Sequence, residues 1–198
     1  MKKNILTFII LWFSFITFLK AQDSNIKLFF KGGISEYGSV QGIRISGGGG
    51  PGPWYVGPMF GPGLEYDLNR NWFLQGTFEY SQNIYGGLVP ITEKIERGKN
   101  TVVDIMSNIK KRWDWFYLIS GIGFSFQQST DSFISGNYEG EDYRRRVYQG
   151  DSNVVLTGLM GFGLEVYPIE YLGIFLEGSW RIRVYVTPVA QLGINYKM

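Results

Sequence analysis

From Leu172 to Met198, apolar side chains recur at every even-numbered position except Gly178. The odd positions between them include Glu177, Ser179, Arg181, Arg183, Thr187, Gln191, Asn195 and Lys197. A period of two is the side-chain period of a β-strand. As a single strand the stretch would reach roughly 90 Å at about 3.3 Å per residue. Two strands of about 12 residues, joined by a tight reversal near Arg183 to Val186, fit better. That length is close to the ~9–11 residues with which a tilted strand crosses a bilayer.

The same alternation predicts six more strands upstream. In Ile26–Glu36, Ile26, Leu28, Phe30 and Ile34 share one face and Lys27, Lys31 and Ser35 the other. In Trp54–Tyr66, Trp54, Val56, Phe60, Leu64 and Tyr66 oppose Glu65. In Trp72–Ser81, Trp72, Leu74, Phe78 and Tyr80 oppose Gln75, Thr77 and Glu79. Thr101–Lys111 reverses the parity, with Val103, Ile105 and Ile109 opposing Asp104, Asn108 and Lys110. In Trp115–Gln127, Phe116, Leu118, Ile122, Phe124 and Phe126 oppose Gly121, Gly123 and Ser125. In Asn153–Tyr167, Val154, Leu156, Met160, Phe162, Leu164 and Val166 oppose Thr157, Gly161, Gly163 and Glu165.

Periodicity does not say which face is outside; size does. An eight-stranded barrel has an interior that side chains just fill. Glycines and paired charges fit such a space, whereas a column of Phe and Trp from every strand does not. The apolar face is therefore expected to look at lipid, where only helices or a closed sheet satisfy the backbone. Link lengths agree. The polar runs Asp67–Asn71, Arg112–Asp114 and Pro168–Glu170 are short turns, while Tyr37–Pro53, Gln82–Asn100 and Gln128–Ser152 are long. Short turns at one rim and long loops at the other are the pattern of outer-membrane barrels. The expected fold is an all-β, eight-stranded antiparallel up-and-down transmembrane β-barrel over residues 22–198.

Residues 1–21 read as a secretory signal peptide, with Lys2 and Lys3 ahead of an apolar run from Ile5 to Leu19 and a small residue, Ala21, at the cut. Without Lys2, Lys3 and Lys20, 16 of the 19 basic residues remain against 17 acidic ones, a net charge of about −1. Bulk nucleic-acid binding loses its electrostatic footprint. The chain has no Cys, so an exported fold must be held by its sheet. It also has no His, which excludes a Ser–His or Asp–His catalytic device.

Trp54, Trp72, Trp113, Trp115 and Trp180 all fall near expected strand ends, where amphipathic rings suit the headgroup level. The chain resembles the eight-stranded outer-membrane barrels of the OmpA/OmpX kind, and the porin-family or PorT-like barrels of Bacteroidota. The residues that carry the likeness are Lys20-Ala21-Gln22, Lys31-Gly32-Gly33, Gly163-Leu164-Glu165 and Gln191-Leu192-Gly193-Ile194-Asn195-Tyr196-Lys197. A short repeat links Gly63-Leu64-Glu65-Tyr66 with Gly163-Leu164-Glu165-Val166, as two hairpins under one two-sided constraint would.

The inward charges form the main candidate constellation. Lys27, Glu65, Lys110, Glu165 and Lys197 are expected near the short-turn rim, and Lys31, Glu79, Asp104, Glu177 and Arg181 nearer the middle or outer half. Buried charges must be paired, so these read as a structural, charge-zipped interior. The alternative is a gated narrow pore. Gly47-Gly48-Gly49-Gly50-Pro51-Gly52 lacks the helix that would make it a phosphate loop and reads as an outer loop. Arg144-Arg145-Arg146 offers a possible loop contact for anions such as lipopolysaccharide phosphates, offset by Glu139, Glu141 and Asp142, which are at most a weak divalent-cation site. No catalytic residue, resident metal or cofactor is expected.

The function expected is a non-enzymatic, monomeric outer-membrane barrel that anchors, or binds at the surface through its long loops, alone or as a component of an envelope complex. Its partners would be outer-membrane lipids or lipopolysaccharide, the barrel-assembly machinery and an envelope protein. A narrow porin-like channel for small solutes and a lipid-modifying enzyme are the alternatives.

Overall fold

The computed structural model describes residues 25–37, 55–85, 94–96, 98–138, 141–183 and 186–198. The expected signal peptide, Trp54, Glu139 and the glycine-rich run at 47–52 lie outside the described residues. Eleven strands are present among those described. They are β1 (Ile26–Tyr37), β2 (Tyr55–Asn69), β3 (Trp72–Tyr85), β4 (Lys94–Glu96), β5 (Gly98–Trp113), β6 (Phe116–Ser129), β7 (Ser132–Tyr138), β8 (Glu141–Tyr148), β9 (Ser152–Ile169), β10 (Leu172–Ile182) and β11 (Val186–Lys197).

Eight of them close an antiparallel barrel in the order β1-β11-β10-β9-β6-β5-β3-β2. Successive barrel strands are neighbours, and the seam joins the first to the last, from Lys27↔Lys197 to Ser35↔Val189. The reversal in the C-terminal stretch lies where the alternation breaks, with Ile182 paired to Val186. The odd parity of the fourth barrel strand is a matter of register. Phe78 of β3 faces Ile105 of β5, an even residue beside an odd one, and Ile105 faces Phe124 of β6, which restores the parity.

The apolar face is outside. Phe124 is 54 % exposed, Phe162 46 % and Leu176 53 %, while Glu165 and Glu177 are each 2 % exposed. Water would leave this belt unburied; hydrocarbon buries it.

The turns are tighter than the polar runs suggest. β2 runs on through Asn69, and Arg70-Asn71 alone make the turn, at φ of 47° and 68°. This is the mirror-image geometry that suits hairpin twist. The next turn is Asp114-Trp115 rather than Arg112–Asp114, with Asp114 at φ 49°, and the third is Glu170-Tyr171 rather than Pro168–Glu170. Polar residues at a solvated rim pair as strand as readily as they turn, so composition alone overstates the turn.

The long links carry structure too. β4, β7 and β8 form a three-stranded sheet in the order β4-β7-β8. β4 precedes β5, β7 follows β6 and β8 precedes β9, so this sheet repeats the neighbour order β5-β6-β9 and continues that part of the wall beyond the barrel. The junction is held by backbone bonds from Ser129 to Asp151 (2.8 Å) and from Thr130 to Lys99 (2.9 Å). Arg144, Arg145 and Arg146 lie on strand β8 and not in an irregular loop.

Candidate functional site: a filled interior and a lipid-facing wall

Alternation delivers odd-numbered side chains of β1, β2, β3, β6, β9, β10 and β11, and even-numbered ones of β5, to the barrel interior. There they form two charge clusters separated by rings. Toward the short-turn rim, Glu65 receives Lys27 at 2.8 Å and Lys110 at 2.9 Å, and Lys110 also reaches Glu165 at 2.7 Å. Gln75 donates to Glu65 at 2.6 Å and Tyr167 to Glu165 at 2.8 Å; Asn195 also donates to Glu165. Arg112 lies 3.6 Å from Glu165. The two glutamates of the short sequence repeat thus converge on one lysine.

Toward the loop rim, Lys31 bridges Glu79 (2.6 Å) and Glu177 (3.1 Å). Arg181 pairs with Glu79 and lies 3.8 Å from Asp104, which Arg183 caps at 2.6 Å. Ser125 also donates to Asp104. Each acid in the two clusters is held by a cation, as burial demands.

Between the clusters lie Phe29, Phe175 and Tyr117, all buried. Glycines make room for them. Gly63 sits opposite Phe29, Gly163 opposite Tyr117 and Gly193 opposite Phe175. A Cβ on any of these glycines would run into the facing ring. Cations add to the packing, with Lys27 4.3 Å from the Phe73 ring and Lys110 4.3 Å from that of Tyr117. Two interior spaces lined by described residues are small. One space, lined by Gln75, Lys110, Glu177 and Asn195 among others, measures about 10 Å³, and another beside Arg181 and Arg183 has no room for a water.

Nine of the ten charges expected inside are buried there; Lys197 is exposed at the end of β11, where the ladder stops, and joins neither cluster. Arg112, Arg183, Tyr117, Tyr167 and the inward rings were not anticipated. Arg183 follows Arg181 by two, so parity alone points to it. Phe29 stands at an odd position between Lys27 and Lys31, the same face as both. Trp72, Trp113 and Trp115 are exposed at the short-turn rim and Trp180 toward the other end of β10; Trp54 is not described. On β8, Arg146 meets Asp131 at 3.5 Å and Arg144 lies 3.9 Å from the Phe133 ring, while Asp142 accepts from Asn137 at 2.9 Å.

The outward wall has a further property. Among the described strand positions of outward parity, three are charged: Glu36 near the loop end of β1, and Lys99 and Lys111 near opposite ends of β5. Twelve residues of strand span about 40 Å, or roughly 30 Å of height at the usual barrel tilt. That is about the thickness of a hydrocarbon core.

The fold is that of an eight-stranded outer-membrane barrel. No family model and no curated protein matches the chain. Among solved structures it is similar to Ail, the attachment invasion locus protein of Yersinia pestis, at 14% identity and a TM-score of 0.50, covering 88% of this chain and 99% of that one. It also matches Neisserial surface protein A, at 10% identity and a TM-score of 0.45, over 89% of this chain and 98% of that one. A third match is the outer membrane protease OmpT of Escherichia coli, at 11% identity and a TM-score of 0.42, over 88% and 97%. At these identities the likeness concerns architecture.

Proposed function

We propose that this chain is an exported, integral outer-membrane anchor without catalytic activity, of the porin-family or PorT-like kind found in Bacteroidota, which holds a β-sheet out from the membrane for a surface ligand or an envelope partner. One observation carries the reading: among the described residues the interior is packed with side chains, and the wall runs on past the apolar belt along β5, β6 and β9, as β4, β7 and β8. A filled tube has little use as a conduit, whereas a rigid extension of three wall strands is a platform. Residues 1–21 serve as the export signal and are removed. The chain acts as a monomer, inserted by the barrel-assembly machinery, with lipopolysaccharide around its outer half.

The absence of Cys makes the orientation test simple. Asp142→Cys on β8 and Asp114→Cys on a short turn are labelled on intact cells with a membrane-impermeant maleimide. Asp142→Cys is expected to react at once, and Asp114→Cys only after the membrane is opened. The reverse pattern, or equal reaction of both, sinks the reading. A mobility shift between boiled and unboiled protein checks that each variant forms the barrel.

A further inference from the structure

We infer that Lys111, Trp72 and Trp113 form a site for the phosphate of an acidic glycerophospholipid at the short-turn rim. The inference rests on the barrel standing in a bilayer, and it adds a ligand that the display function does not require.

Lys111 is the one charged residue among the described outward positions on the short-turn half of the wall. It pairs across strands with Trp72. Its ammonium donates to the carbonyl of Arg70 at 2.8 Å and lies 4.8 Å from the Trp72 ring and 5.9 Å from that of Trp113. Both indoles are close to half exposed. Among the described residues, no carboxylate is within ion-pair distance of Lys111. The cation is thus oriented by one carbonyl and two π faces, none of which neutralises it. One of its three N–H groups is used, and two remain as donors.

The height is set by the apolar belt. Above Lys111, Ile109 and Ile105 face out; beside it stand two rings of the kind that settle among headgroups. A lysine at this level places its charge where lipid phosphates lie. The fixed left-handed turn at Arg70 supplies the carbonyl that keeps the side chain from wandering. In the proposed orientation this rim meets the inner leaflet, so the ligand is a glycerophospholipid and not lipopolysaccharide.

The test compares the protein and its variants in nanodiscs of phosphatidylcholine doped with phosphatidylglycerol. Native mass spectrometry counts the phosphatidylglycerol that stays bound. Lys111→Gln is expected to lower retention about tenfold, the size of a lost charged hydrogen bond. Trp72→Leu should lower it about threefold, and Lys111→Arg should keep it. Lys197→Gln, a cation at the same rim but off the lipid face, should change nothing. The indole N–H signals of Trp72 and Trp113 should shift when phosphatidylglycerol is added.

Retention unchanged in Lys111→Gln, or reduced equally in Lys197→Gln, overturns the site in favour of diffuse surface charge. So does a matching indole shift with inorganic phosphate in detergent, which would mean a free-anion site. Failure of the parent protein to enter nanodiscs, seen separately as loss of the heat-dependent mobility shift, overturns the membrane reading and the site with it.

Discussion

The ring of Tyr117 on β6 lies against Gly163, its cross-strand partner on β9. From there its hydroxyl donates to Glu177 at 3.0 Å. One aromatic side chain therefore joins the ring layer to the outer charge cluster, and a missing side chain makes the reach possible. Gly163→Val is expected to destabilise the barrel by about 1–3 kcal/mol through overpacking. Gly76, whose Cβ would meet nothing within 4 Å, is the contrast. Gly76→Ala should be neutral or gain up to about 1 kcal/mol. Urea midpoints in lipid vesicles with unchanged slopes check both.

Glu79 takes Lys31 and Arg181 together. Glu79→Leu leaves two buried cations short of a partner, which costs about 3–5 kcal/mol. Lys197→Gln, at an exposed end, should stay within about 0.5 kcal/mol of the parent. Equal effects would mean that the interior clusters are not load carriers, and the same unfolding titrations decide it.

The filled interior predicts an electrically silent protein. Planar-bilayer recordings should show no stepwise current. Regular open levels in purified, folded protein would return the narrow-channel reading.

The base of the projecting sheet should respond to acid. The Gly150 backbone N–H donates to Asp131 at 2.6 Å, and that bond, helped by Arg146, holds the Asp131 carboxyl below its usual range. A depressed folded value means that the contact contributes above the unfolded carboxylate range and is lost as pH falls through the folded one. Protection of the Gly150 amide, measured against its intrinsic exchange rate, should therefore fall as pH drops below the usual carboxylate range. Asp131→Asn should remove the pH dependence.

The alternation exposed most of the barrel in advance because a two-sided wall repeats one rule at every rung. Strand number, parity and the reversal before Val186 all follow from it. Strand ends did not, since Asn69, Trp113 and Ile169 pair at a rim where solvent already satisfies the backbone. The projecting sheet was hidden for a related reason. Strands β4 and β7 are short, and β8, which reads Glu-Asp-Tyr-Arg-Arg-Arg-Val-Tyr, has no apolar stripe to announce it. The interior acids were visible as charges on the polar face of each strand, odd-numbered except for Asp104 on β5. Phe29, Phe175 and Tyr117 were not, because an aromatic residue reads as lipid-facing until its glycine partner on the next strand is known.

The seam between Lys27 and Lys197 sets the order of events in biogenesis. An edge left open in hydrocarbon strands its amides without partners, and the first strand finds one of its two neighbours only when the last arrives. Closure of the wall therefore waits for β11. A truncation that spares every ion pair but removes the final dozen residues should yield an aggregate instead of a smaller tube.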